Sequence, residues 1–125
     1  MKNLHLEATG KTPYVNFDAK TGNLEILGRI IPENSAEFYR PLLEWLQDYS
    51  KQAAPETKVR LHLEYFNTAS SYLVVKLFKA IEAIEKLGSK VTIYWYFDDE
   101  DMYEAGEDFE SIIKVNFEYI AVDED

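Results

Sequence analysis

The spacing of apolar residues in this chain switches from a period of two to one of about 3.6, and back again, three times between Leu24 and Val122. Period two marks a strand with one greasy side, and 3.6 marks a helix with an apolar stripe. Strands alternating with helices imply right-handed crossovers and at least partly parallel pairing within a single sheet.

Leu4-His5-Leu6-Glu7-Ala8 opens with a short alternating stretch. Tyr14–Asp18 and Leu24–Leu27 then flank a loop carrying Gly22, which is free to take positive φ, so a hairpin is expected. Asn34 and Glu37 have capping-box spacing before a first helix from about Ser35 to Ser50, with Phe38, Leu42, Trp45 and Tyr49 inward. Pro41 lacks the N–H that would bond the Glu37 carbonyl, so either a kink or a start at Arg40 is expected. Ala53–Thr57 reads as a loop, and Val59, Leu61, Leu63 and Tyr65 alternate with Arg60, His62 and Glu64 as a strand.

A second helix follows Asn67-Thr68, with Leu73, Leu77, Ile81 and Ile84 as its stripe, Lys76, Lys79, Glu82 and Lys86 in water, and Gly88 as its stop. Val91–Phe97 is nearly all β-branched or aromatic, as a central strand would be. Asp98–Asp101 break it, a third helix turns Met102, Phe109, Ile112 and Ile113 inward, and Val115–Val122 form the last strand before a frayed tail at Asp123–Asp125. A sheet covered on both faces would not tolerate Glu25, Arg29, Arg60, His62 and Glu64 on its strands. All three helices are therefore placed mainly on one face, with Tyr94 and Tyr96 beside those charges on the other. Residues 1–125 need no more than one domain, because no linker, repeat or low-complexity segment interrupts them.

Composition narrows the function classes. A hydrophobic fraction of 46% suffices for a core, and no apolar run approaches the roughly 20 residues of a membrane span. A formal charge of −10 repels phosphates, which argues against nucleic acid and anionic membranes as partners. With no cysteine there is no disulfide framework and no thiolate chemistry. The absence of a basic-then-apolar leader makes a cytoplasmic location the expectation. Neither histidine accompanies a nucleophile motif, and phosphate-cradling Gly-rich loops are absent, so an enzyme is disfavoured and no cofactor is implied.

Sites in open α/β sheets gather at the carboxyl ends of strands. Two such ends stand out: Asn67-Thr68-Ala69-Ser70-Ser71 and Asp98-Asp99-Glu100-Asp101. If their strands are parallel neighbours, both loops share one edge, and Asn67, Ser70, Ser71, Asp98, Asp99 and Asp101 form a partner-binding surface around Thr68. Helix capping explains either Asn67 or Thr68, and phosphorylation of Thr68 is compatible with it. Asp98 or Asp99 as a cap of the third helix is the plain reading of the acidic run. A carboxylate-metal hydrolase built on Asp98, Asp99 and Asp101 is one alternative, although the run lacks the Gly and distal Glu of a calcium loop. A constitutive assembly protein that dimerises through the open face at Tyr94 and Tyr96 is another.

Ile31-Pro32-Glu33-Asn34, Phe38-Tyr39-Arg40-Pro41-Leu42 with Trp45 and Tyr49, Tyr65-Phe66-Asn67-Thr68 with Ser70-Ser71, and Trp95-Tyr96 through Asp98-Asp99-Glu100-Asp101-Met102 to Glu104-Ala105-Gly106-Glu107 together resemble the SiaC family of bacterial regulatory phosphoproteins. The resemblance spans nearly the whole chain. It implies a STAS-like α/β fold, of the anti-sigma-factor antagonist type, with a mixed sheet. It also implies a phosphosite at Thr68, served by a partner kinase and a PP2C-type phosphatase. The unmodified protein would bind and activate a diguanylate cyclase, raising cyclic di-GMP and favouring biofilm growth. Asn67 stands where STAS antagonists carry Asp, and their following Ser-Gly is missing, which argues against a direct sigma-factor circuit. The expectation is a phosphorylation-controlled signalling switch that works by partner switching and performs no catalysis.

Overall fold

A computed structural model describes residues 1–30, 35–66 and 68–122, with the backbone alone for Ser35, Tyr65, Phe66 and residues 68–71. Along the chain run β1 (Leu4–Leu6), β2 (Tyr14–Asp18), β3 (Asn23–Ile30), α1 (Ser35–Ser50), β4 (Glu56–Phe66), α2 (Thr68–Lys86), β5 (Lys90–Phe97), α3 (Glu100–Glu110) and β6 (Asn116–Ala121). The six strands form one sheet in sequence order, β1-β2-β3-β4-β5-β6. The β1–β2 and β2–β3 pairs are antiparallel, and the β3–β4, β4–β5 and β5–β6 pairs are parallel.

Gly22 makes the hairpin possible. Its φ of 78° needs glycine, and any Cβ there would strike the Glu56 carbonyl. Its own carbonyl accepts from Lys58 N at 2.9 Å, tying the turn to β4. Asp18 Oδ1 accepts from the N–H groups of Lys20 and Thr21 at 3.0 and 3.3 Å, and the Thr21 bond leads in holding this carboxyl below its ordinary range.

Register places Phe17, Leu24, Val59, Ile93 and Phe117 in one row across the sheet, with Val15, Ile26, Leu61 and Trp95 in the next but one. Both rows are buried, Phe117 at 8% exposure included, and carry the core. All three helices cover this face. Trp45 of α1 packs on Phe17 with ring centroids 5.1 Å apart, and Phe78 of α2 lies 6.1 Å from Trp95 and 4.8 Å from Phe109 of α3. The opposite face carries Asn16, Glu25, Arg60, Tyr94 and Glu118 in one row and Tyr14, Leu27, His62, Tyr96 and Ile120 in the next. Tyr94 and Tyr96 thus stand among charges, as the alternation requires.

The helices depart from expectation in their details. α1 begins at Ser35 and continues through Pro41, so a start at Arg40 is not what forms. Pro41 is exposed on this helix. Asn34, the first half of the expected capping box, lies outside the described residues, as does the expected frayed tail. In α2 the stripe is Val74, Leu77, Phe78, Ile81 and Ile84, while Leu73 is half-buried, because this helix touches both α1 and α3 as well as the sheet.

Glu82 is not in water. It is 8% exposed, accepts from Lys114 N at 2.6 Å and lies 3.7 Å from Lys86 and 4.0 Å from Lys79. The Lys114 hydrogen bond, and then the two lysines, hold its carboxyl below the ordinary 4.5 against the opposing effect of burial. α3 stops at Glu110, with Ser111 as its C-cap, so Ile113 is buried at 5% and Ile112 stays 44% exposed. The strand β4 starts at Glu56 rather than Val59, since Glu56, Thr57 and Lys58 already pair with Lys90, Val91 and Thr92.

Candidate functional site

Because β3, β4, β5 and β6 run parallel, their carboxyl ends share one edge, and α1, α2 and α3 all start there. Three helix N-termini bring partial positive charge, and N–H groups that lack an intrahelical partner, to that edge. The two loops singled out by spacing therefore do lie on one edge. One residue, Asn67, separates the end of β4 at Phe66 from the start of α2 at Thr68. Asn67 is outside the described residues, and so are the side chains of Thr68, Ser70 and Ser71. Their backbone places Thr68, Ser70 and Ser71 in the opening turn of α2.

The acidic run is divided among separate duties. Asp99 is the N-cap of α3 in extended geometry (φ −148°, ψ 174°), and its Oδ1 accepts from Met102 N at 2.8 Å. Glu100 and Asp101 follow in the first turn, where the helix dipole favours carboxylates. Asp98 turns to the open sheet face. Both of its oxygens lie 3.1 Å from His62 Nε2, with the two side chains 27% and 29% exposed. Among the described residues no group of three or more His, Asp or Glu is placed to hold a metal ion.

The pairing of His62 with Asp98 was hidden in the sequence. Alternation put His62 on the polar side of its strand and left Asp98 in the run that breaks the next one; the β4–β5 register, which sets His62 opposite Tyr96, brings Asp98 within reach. The His62 ring also lies 5.8 Å from that of Tyr96. Next to this pair the β3–β4 ladder carries a bulge: between Gly28, which has φ 120°, and Arg29 the register skips Glu64 of β4. Past the bulge Arg29 Nε comes 3.7 Å from Glu64 Oε2. Two shallow depressions, of about 470 and 230 Å³, meet at Leu27 and His62. The larger is walled by Ala8, Thr9, Gly10 and Thr12 of the β1–β2 connection.

Behind the edge, the aromatic residues of α1 are core. Tyr39, Trp45 and Tyr49 are 1%, 8% and 0% exposed. Trp45 Nε1 donates to Lys2 O at 2.8 Å. The Tyr39 hydroxyl has no hydrogen-bond partner among the described residues, and burial pushes its pKa well above the ordinary 10. No helix among the described residues is long and apolar enough to cross a membrane.

Comparison with known proteins gives this edge a context. An uncharacterized protein of Pseudomonas aeruginosa (strain UCBPP-PA14) is 28% identical over 126 residues, spanning 99% of this chain and 100% of that one. The crystal structure of apo-SiaC from Pseudomonas aeruginosa is similar with a TM-score of 0.88 at 26% identity, over 97% of this chain and 100% of that chain. A chain in the crystal structure of diguanylate cyclase SiaD in complex with its activator SiaC, from the same species, is similar with a TM-score of 0.87 at 26% identity. That match covers 95% of this chain and 99% of the other. The sequence profile of the SiaC family regulatory phosphoproteins matches residues 6–122. With a six-strand mixed sheet, three helices on one face and this match, the chain belongs to the SiaC family of regulatory phosphoproteins.

Proposed function

We propose that this protein is a non-enzymatic binding switch, set by reversible phosphorylation of Thr68, whose regulated partner is a diguanylate cyclase. The observation that supports it most is the position of Thr68 as the first residue of α2, one residue past β4, on the edge where three helices begin. Membership in a family of regulatory phosphoproteins supports a regulatory role. Similarity over 95% of the chain to a structure containing the activator of a diguanylate cyclase supports the choice of partner. A kinase and a PP2C-type phosphatase would write and erase the mark in the cytoplasm.

A phosphate at position 68 adds about −1.5 to −2 charge, which the N-terminal dipole of α2 partly accommodates. Asn67, Ser70, Ser71, Asp98, Asp99 and Asp101 would border the docked partner. Asp99 keeps its capping role, and Asp98 meets the partner from the open-face side.

The test is direct. Mass spectrometry of protein from its native cells should find phosphate on Thr68. Calorimetry should find that Thr68→Ala binds the cyclase as the wild type does, while Thr68→Glu binds more weakly. Equal affinity of all three proteins would reject the switch.

A further inference from the structure

The charges on α2 are sorted by direction. Its exposed charged side chains are Lys76, Lys79 and Lys86, whereas its two carboxylates are covered. Glu82 is buried against Lys114 N, and half-buried Glu85 accepts from Val91 N at 3.4 Å. The neighbouring α3 shows the reverse: Glu100, Asp101, Glu104, Glu107, Asp108 and Glu110 are all exposed, and it has no basic residue. On a chain of net charge −10, the outward ridge of α2 is thus a basic strip beside an acidic one.

The ridge also carries a large apolar anchor. Tyr72 is 65% exposed, and among the described residues no other aromatic is so prominent in water. The Lys76 ammonium lies 4.9 Å from the centre of its ring, a cation–π contact that steadies both side chains. Positions 68, 72 and 76 are spaced by four, which puts them on one face of the helix. Tyrosine is among the residues that dominate binding at protein interfaces.

We propose that the Tyr72–Lys76 ridge of α2 is the docking surface for the regulated partner, and that the partner presents an acidic segment to it. The argument is charge complementarity, joined to continuity with position 68. Three lysines against two carboxylates leave α2 one positive charge, and a phosphate of about −1.5 to −2 at its head reverses that sign. An acidic segment attracted to the bare helix is repelled by the modified one. The regulation of the ridge rests on the Thr68 reading; the ridge itself does not.

The experiment measures binding of a diguanylate cyclase from the same genome by biolayer interferometry, with a decaglutamate peptide as a second probe followed by amide shifts in NMR. Tyr72→Ala and Lys76→Glu should each weaken cyclase binding by about tenfold or more. Lys20→Glu, an equal charge change at the opposite end of the sheet, should stay within about twofold. If Tyr72→Ala and Lys76→Glu bind as the wild type does, the ridge is overturned; a loss with Thr68→Glu alone would then leave the switch standing. If the wild type binds no cyclase, the choice of partner fails, and the peptide decides the ridge. Peptide-induced shifts at residues 72–86 that vanish in Lys76→Glu support it. Shifts elsewhere, or none, overturn it.

Discussion

At the scale of single residues, contacts with Trp95 and Glu82 carry the sharpest consequences. Gly106 in α3 lies flat on the indole of Trp95, and a Cβ there would sit 2.6 Å from Cδ1 and Nε1. Trp95 is fully buried and donates to Met102 O at 2.9 Å, so it has no room to retreat. Gly106→Ala should therefore lower stability by about 1–3 kcal/mol in urea unfolding, although alanine is the better helix former by roughly 1 kcal/mol. A variant as stable as the wild type would contradict the packing.

Glu82→Gln should cost about 1–2 kcal/mol at neutral pH through loss of a charge-assisted bond to Lys114 N. The folded carboxyl is held below 4.5, so its stabilisation is complete above that value and fades as pH falls through the lowered one. The gap between wild type and variant should narrow as acid protonates this carboxyl, and a gap undiminished by acid would refute the assignment. Neither role could be read along the chain. Gly106 has no side chain to betray a neighbour, and Glu82 sits at a spacing that suits water as well as it suits the loop before β6.

At the scale of elements, the strands and helices were legible because period and chemistry agreed, as in β5 with its β-branched and aromatic run. What spacing missed was where two elements share one site. At the edge opposite Thr68, Tyr49 of α1, Thr57 of β4 and Ser89 before β5 join their hydroxyls at 2.9 and 2.7 Å, and Ser89 donates to Ala54 O at 2.6 Å. Thr57 is fully buried at the centre of this chain. Thr57→Val keeps the shape but takes one hydrogen-bond partner from each of two hydroxyls, those of Tyr49 and Ser89. The expected loss is about 1–3 kcal/mol, read from the urea midpoint with an unchanged slope. Thr57 had looked like loop, since a threonine before an alternating run carries no mark of a buried network. The same limit applies to α2: its wide apolar arc reflects contact with two helices and a sheet, and a stripe drawn for one partner picks Leu73 where Val74 and Phe78 do the packing.

At the scale of the whole molecule, charge is the variable that regulation acts on. The proposed switch adds phosphate at the head of the basic ridge of α2, so the penalty of Thr68→Glu on partner binding should shrink as salt rises from low ionic strength to about 0.5 M. A penalty that ignores salt would point to a steric cause. The chain by itself determined the alternation of strands and helices, the single covered face of the sheet and the Thr68 junction. Each of these follows from residue spacing, and spacing is a local property that any segment carries with it. Only the folded arrangement decided that Asp98 meets His62, that Glu82 is buried and that the exposed charges of α2 are all lysines. Those outcomes depend on register and on which elements become neighbours, and both are set by the packing of segments far apart in sequence.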